Sequence, residues 1–190
     1  MKSILISIKP KYVADILNGK KTIEIRKTCP EVFKHLKPYE GCSIDVYIYC
    51  TKDNHQLVKP KDYDKYLLFT KGAVDYSNEK TLNGKIVAKF TLNKVDKLEK
   101  RHLFDAPFLS EYIYRDNETS YSFERKTQLT EEELCKYLKG QNGYAWHISN
   151  LVIFDEPKEL SEFIQSKRKN YEEPQVQKAP QSWCYVEVEE

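Results

Sequence analysis

The sequence predicts an α+β fold, a small mixed β-barrel of about six strands with about three flanking helices. Three observations predict it. Several short stretches alternate apolar and polar residues with the period of two that a strand requires. Two other stretches carry helix-start chemistry, a proline at a first turn and a capping box. The two kinds are interspersed along 190 residues of 40% hydrophobic content, enough chain to bury one core. No segment repeats another.

The first predicted element is a strand over residues 3–8, where Ile4, Ile6 and Ile8 alternate with Ser3, Leu5 and Ser7. Pro10 then opens a helix, since its missing N–H costs nothing at the first helical position. Val13, Ile16 and Leu17 fall at i, i+3 and i+4 and form one buried stripe, and Gly19 is the natural stop. Over 22–26 the period returns to two. Ile23 and Ile25 go to the core, so Thr22, Glu24 and Arg26 share the other face. Residues 28–41, with Pro30, Pro38 and Gly41, form a connection, and 43–50 is the next strand, with Ile44, Val46, Ile48 and Cys50 on one side and Asp45, Tyr47 and Tyr49 on the other.

Residues 51–82 are polar, and only Tyr66, Leu67, Leu68 and Phe69 look ready to pack, so the stretch reads as an excursion from the barrel holding a short strand or helix. Clean alternation resumes over 84–95, with Ile86, Ala88, Phe90 and Leu92 set against Lys85, Lys89 and Thr91. Residues 98–128 are long and irregular, with Phe104, Phe108, Tyr112, Tyr114, Tyr121 and Phe123 interleaved with Arg115, Arg125 and Lys126. Loops of that length are usually functional or mobile. Thr130 as N-cap and Glu133 at N3 form a capping box ahead of Leu134, Tyr137 and Leu138, which predicts a helix ending near Gly140. Residues 144–154 read as a strand pair or one bent strand. Pro157 is expected to start another helix running through Phe163 and Ile164, residues 166–179 are a polar linker, and 182–189 is the closing strand. One domain over 1–190 is expected, with 51–82 and 98–128 as insertions.

Charged residues make up 32% of the chain, and it holds only 6 Gly and 8 Pro, a composition that excludes a disordered or low-complexity protein. The net charge of +2 conceals an asymmetry. Residues 1–40 hold nine Lys or Arg against four Asp or Glu, a surplus of +5, and the remainder carries −3, 22 against 25. That basic segment suits an anionic partner such as nucleic acid; the competing reading is an ordinary solvated Lys-rich surface. No run of about eighteen apolar residues exists, and Met1, Lys2 and Ser3 lead into a strand rather than a signal peptide, so the expected location is the cytoplasm. Cys29, Cys42, Cys50, Cys135 and Cys184 are an odd set without C-x₂-C spacing and read as reduced structural thiols. His35, His55, His102 and His147 are scattered, with no i,i+4 pair, so neither a metal site nor a cofactor is expected.

The candidate site is the stretch Gly19-Lys20-Lys21-Thr22-Ile23-Glu24-Ile25-Arg26. Lys21 follows a helix end, where an ammonium meets a phosphate or a base carbonyl, acts as a base if partly buried, or else pairs with the C-terminal carbonyls of its own helix or with Glu24. Glu24 and Arg26 stand two apart on one strand face, either as an acceptor and donor fork for the edge of a base or as a structural network. Ser7 and Lys9 leave the first strand on the side away from Ile6 and Ile8, toward the same cleft, and Ser182 and Trp183 enter from the last strand. Trp183 and Trp146 are candidate stacking platforms, with a core position as the alternative for each. His147 reads as a hydrogen-bonded structural residue with an acid–base role open to it. The aromatic and basic stretch 98–128 has the composition of an RNA-contacting surface or of a lid held by its own Tyr and Phe side chains.

The eight residues 19–26, with the strand and helix before them, are similar to the ASCH signature G-x-K-x-x-E-x-R. Further stretches resemble the same family in order: 84–90 its central strand, 144–148 with Phe154-Asp155-Glu156-Pro157 its late strand and following turn, and Ala179-Pro180-Gln181-Ser182-Trp183 its closing segment. Residues 51–82 and 98–128 have no counterpart. The resemblance implies a PUA-like barrel with a cleft near the start of the motif strand, proposed in the family to bind RNA. It also brings hydrolases into view. Some members remove the acetyl group of N4-acetylcytidine with a Lys, a Thr and a Glu, and another is a metal-independent ribonuclease. Lys21 matches the deacetylase lysine, but Glu24 stands where that group has threonine, which removes the hydroxyl nucleophile from its place.

Three functions follow as expectations. The favoured one is a non-catalytic module that seats a single-stranded or modified RNA base over Lys21, Glu24 and Arg26. The second is a metal-independent hydrolase of a modified nucleoside or RNA, with Lys21 as base and Glu24 or Thr22 assisting. The third is a protein-interaction adaptor, which the acidic end at Glu187, Glu189 and Glu190 would suit.

Overall fold

The computed structural model describes residues 2–34, 41–72, 81–103, 106–113, 120–165 and 175–188. In chain order the elements are β1 (Lys2–Ile8), α1 (Pro10–Leu17), β2 (Ile23–Arg26), α2 (Glu31–Lys34), β3 (Ile44–Cys50), β4 (His55–Val58), β5 (Leu67–Thr70), β6 (Ile86–Leu92), β7 (Val95–Leu103), β8 (Ala106–Ile113), α3 (Ser120–Thr127), α4 (Glu131–Leu138), β9 (Gly143–His147), β10 (Ser149–Lys158), a 3₁₀ turn (Leu160–Glu162), β11 (Phe163–Gln165) and β12 (Trp183–Val188). They fall into two compact units. Met1–Gly19, Ile44–Thr91 and Asn150–Glu190 form the first, and Lys20–Ser43 and Leu92–Ser149 the second.

The first unit is built on a six-stranded sheet of order β10-β6-β3-β1-β12-β11. Its centre pairs β1 with β3 in parallel, Ile4 opposite Val46 and Ile6 opposite Ile48, and β1 with β12 antiparallel, Leu5 opposite Cys184. Parallel pairs need cover on both faces. Accordingly Leu5 is as completely buried as its neighbours Ile4 and Ile6, and alternation in sequence gives way to continuous burial. On the Leu5 face, Tyr47, Tyr49, Ile86, Phe163, Val176 and Val186 form a core, in which the Tyr47 and Phe163 rings meet edge-on with centroids 4.9 Å apart. Tyr47 and Tyr49, placed by sequence on the polar side of their strand, are therefore interior residues.

Residues 51–82 hold a hairpin, β4 with β5, that two asparagines tie down. Asn18, the C-cap of α1, bonds both backbone groups of Tyr66, at 2.9 and 3.0 Å. Asn83 accepts from the Leu57 N–H at 2.8 Å and donates to the His55 carbonyl at 2.8 Å. Leu57 and Val58 are buried there, in a stretch whose polarity hides them.

The second unit is a four-stranded antiparallel sheet of order β2-β9-β7-β8. Ile23, Ile25, Leu98 and Ala145 of the sheet pack with Phe123 of α3 and with Leu134 and Leu138 of α4. Gly143 is required by this contact, because a Cβ there would lie 2.8 Å from Leu138 Cδ2. The α4 capping box forms as its sequence predicts. Thr130 Oγ1 accepts from the Glu133 N–H at 3.2 Å, and Glu133 Oε2 accepts from the Thr130 N–H at 3.0 Å.

The α+β class holds, with four corrections of detail. The six-stranded sheet has β10 and β11 at its two ends, so among the described residues it is open rather than a closed barrel; a period of two reveals faces but not the tilt and stagger that close a sheet. More than six strands form, because strands appear in 51–82, in 98–128 and at Phe163–Gln165, where an excursion, an irregular stretch and a helix were expected. Pro157 lies inside β10 instead of starting a helix, as an edge strand tolerates a residue without an N–H, and Phe163 and Ile164 belong to β11. The supposed irregular stretch 98–128 contains the hairpin of β7 and β8 and the helix α3, although Phe104, Tyr114 and Arg115 lie outside the described residues, as do His35, Pro38, Glu189, Glu190 and positions 166–174 of the polar linker. No helix among the described residues is long and apolar enough to cross a membrane.

Candidate functional site

The motif follows the end of α1 and runs through the edge strand β2. Gly19, at φ +72°, ends the helix in the left-handed region that glycine takes without strain. From Ile23 to Arg26 every residue is buried, including both charged ones. The Lys21 ammonium donates to the Thr127 carbonyl at 2.5 Å and stands 3.3 Å from Glu24 Oε2, while Glu24 Oε1 pairs with Arg26 Nη2 at 2.9 Å. Each carboxylate oxygen thus meets a different cation. Lys21, Glu24 and Arg26 are only 2%, 7% and 6% exposed. The lysine does reach a helix C-terminus, where carbonyl oxygens attract a cation. That helix is α3, not the α1 that precedes it in sequence. Thr22 is held by its backbone, donating to the Lys126 carbonyl at 2.8 Å and accepting from the Ile148 N–H at 2.9 Å, and its side chain is exposed.

Antiparallel register places Trp146 opposite Glu24 and Tyr144 opposite Arg26. Trp146 is fully buried, so its indole is a core group with no face open to a base. A different aromatic residue touches the charged set. The Tyr137 hydroxyl of α4 lies close enough to Arg26 and Glu24 to feel the charge of both. Burial of that hydroxyl raises its pKa, Arg26 opposes the rise and Glu24 adds to it. Yet Tyr137 as a whole is 37% exposed. The exposed Lys27 holds its ammonium 5.4 Å from the ring centroid. Sequence periodicity placed Tyr137 merely on the packed side of a helix, and nothing in the pattern links α4 to β2.

The remaining candidates belong to the first unit. Ser7 is buried, its hydroxyl donating to the Pro180 carbonyl at 2.6 Å and its N–H to the Ser182 carbonyl at 3.0 Å, so this pair staples β1 to the segment before β12. Lys9 is the exposed N-cap residue of α1. Trp183 is half-buried and meets the Tyr185 ring edge-on at 5.4 Å. In the second unit His147 Nε2 lies 2.6 Å from Asp96 Oδ2, which Lys94 also approaches at 3.3 Å. This agrees with a hydrogen-bonded structural histidine.

Cysteine chemistry is quiet. All five thiols are free, and burial pushes Cys50 up to about 12 and Cys184 up to about 11, far from the thiolate a nucleophile needs. Among the described residues no group of three or more His, Cys, Asp or Glu is placed to hold a metal ion.

No protein-family model matches the chain, and no curated protein matches it in sequence. Solved structures do match. The ASCH protein of Zymomonas mobilis aligns over 97% of this chain and 87% of its own, with a TM-score of 0.51 at 15% identity. A single-residue variant of that protein aligns over 98% and 91%, again at 0.51 and 15%. With the Gly19-to-Arg26 stretch seated at the end of α1 and along β2, and the alignment covering nearly the whole chain, the protein has the fold of an ASCH domain.

Proposed function

We propose that this ASCH-type domain, PUA-like in descent, binds nucleic acid and recognises a single-stranded or modified base at the Lys21–Glu24–Arg26 set. The observation that supports it best is the burial of three charged side chains on one edge strand. Removing such ions from water costs several kcal/mol each, and replacing them with apolar residues often leaves a protein as stable or more so. Exposed Lys20, Thr22 and Lys27 flank the set and suit a phosphate backbone.

The hydrolytic reading fares less well. Lys21 donates to a carbonyl oxygen and stands beside a carboxylate oxygen, so its amine is engaged within the protein rather than presented to a substrate as a base.

The test is binding of labelled single-stranded RNA by fluorescence anisotropy. Affinity should fall steeply between 50 and 200 mM salt, and Lys20→Ala with Lys27→Ala should lower both affinity and salt slope. Absence of binding at 50 mM salt would remove this reading. Turnover of RNA or of acetylated cytidine by the wild type, lost in Lys21→Ala, would replace it with the hydrolase.

A further inference from the structure

Tyr137 presents a combination that stability alone does not call for. It sits on α4 between Leu134 and Leu138, both of which pack into the sheet core, yet over a third of its own surface is open. Its hydroxyl lies within electrostatic reach of Arg26, the last residue of the buried charged set. The Lys27 ammonium stands 5.4 Å from the ring centroid. A partly open aromatic ring beside a lysine is the arrangement with which proteins hold an unpaired base and its phosphate, the ring stacking on the base and the ammonium meeting the backbone.

We infer that Tyr137 is the base-stacking residue of this domain, receiving one unpaired nucleobase on its exposed surface while Lys27 meets the adjoining phosphate. The inference rests on the nucleic-acid reading above and assigns to Tyr137 the part that sequence offered to Trp146. The two tryptophans differ from it in clear respects: Trp146 is fully enclosed, and Trp183 belongs to the other unit.

The experiment compares a short oligouridylate with the same strand carrying one abasic position, on wild type, Tyr137→Phe and Tyr137→Ala, at 50 mM salt. Wild type should bind the intact strand about tenfold or more tightly than the abasic one, the range of one stacked base. Tyr137→Phe keeps the ring and should keep that ratio, whereas Tyr137→Ala should bring it to about twofold or less. The ratio is internal to each variant, so partial loss of folded protein does not alter it. Binding of both strands by wild type with equal affinity overturns the inference and leaves nucleic-acid binding intact. So does a ratio unchanged in Tyr137→Ala, or one lost equally in Tyr137→Phe. No binding of either strand by wild type overturns the inference and the underlying function together.

Discussion

Among the described residues the buried charged side chains lie in the second unit, while the ion pairs of the first unit stay at the surface. Lys89 and Asp45 of the six-stranded sheet pair at 2.8 Å with about a third of each side chain exposed, while the interior beneath them is Leu5, Ile86, Phe163 and the edge-on rings of Tyr47 and Phe163. On β2 of the four-stranded sheet, Lys21, Glu24 and Arg26 are enclosed. An exposed pair is worth a few tenths of a kcal/mol and is dispensable; an enclosed one is costly to assemble and more costly to break halfway. The contrast separates a unit that is organised for packing from one that carries the site.

The sharpest way to break this contrast is Glu24→Gln, which leaves two buried cations without their carboxylate. It should lower unfolding free energy by about 3–5 kcal/mol in urea melts. The triple replacement Lys21→Met, Glu24→Leu, Arg26→Met should recover most of that loss and abolish RNA binding. A Glu24→Gln protein as stable as wild type would mean that the charges are solvated and the contrast false. Phe163→Ala in the first unit should cost a similar amount, about 3–5 kcal/mol, through a cavity under Tyr47, yet leave RNA affinity of the folded fraction unchanged. A parallel loss of affinity would show that packing and site are not separable.

Smaller effects sharpen the picture within the second unit. Gly143→Ala drives a methyl against the fully buried Leu138 and should cost about 1–3 kcal/mol. Thr130→Ala removes half of the capping box of α4, the helix that carries Tyr137, and should cost about 1 kcal/mol. Lys89→Ala, which breaks the exposed pair of the first unit, should be close to neutral, within about 0.5 kcal/mol. Urea denaturation of all three places them on one scale, and a reversed order would undo the ranking of buried above exposed contacts.

What the sequence made legible follows from range. Elements fixed by local chemistry appear where expected: Pro10 and Gly19 bound the first helix, Thr130 and Glu133 start α4, and the alternating isoleucines of β1 and β2 form strands. The candidate residues Lys21, Glu24 and Arg26 were visible for the same reason, since two-residue spacing brings Glu24 and Arg26 onto one face. Longer-range facts were not visible. That Lys21 would meet the carbonyl of Thr127, 106 residues away, is a property of tertiary packing. The same holds for Tyr137 against Arg26, and for Pro157, whose helix-starting tendency yields to an edge strand that has no use for its N–H. Leu57 and Val58 were hidden by their polar neighbours and are buried in a hairpin that Asn18 and Asn83 hold by hydrogen bonds.

The pairing of β1 with β12, Lys2 opposite Glu187, has a consequence for how this chain is made. At about 5–20 residues per second, synthesis leaves β1 without that neighbour for roughly 10–40 s after it emerges. During that interval Ile4, Leu5 and Ile6 have one side of their backbone unpaired beside a partly built core. A strand waiting that long is a natural client for a chaperone and a point of vulnerability to early termination. Chains stopped short of Trp183 should therefore accumulate in the insoluble fraction, even though every residue of the Lys21–Glu24–Arg26 set has already been made.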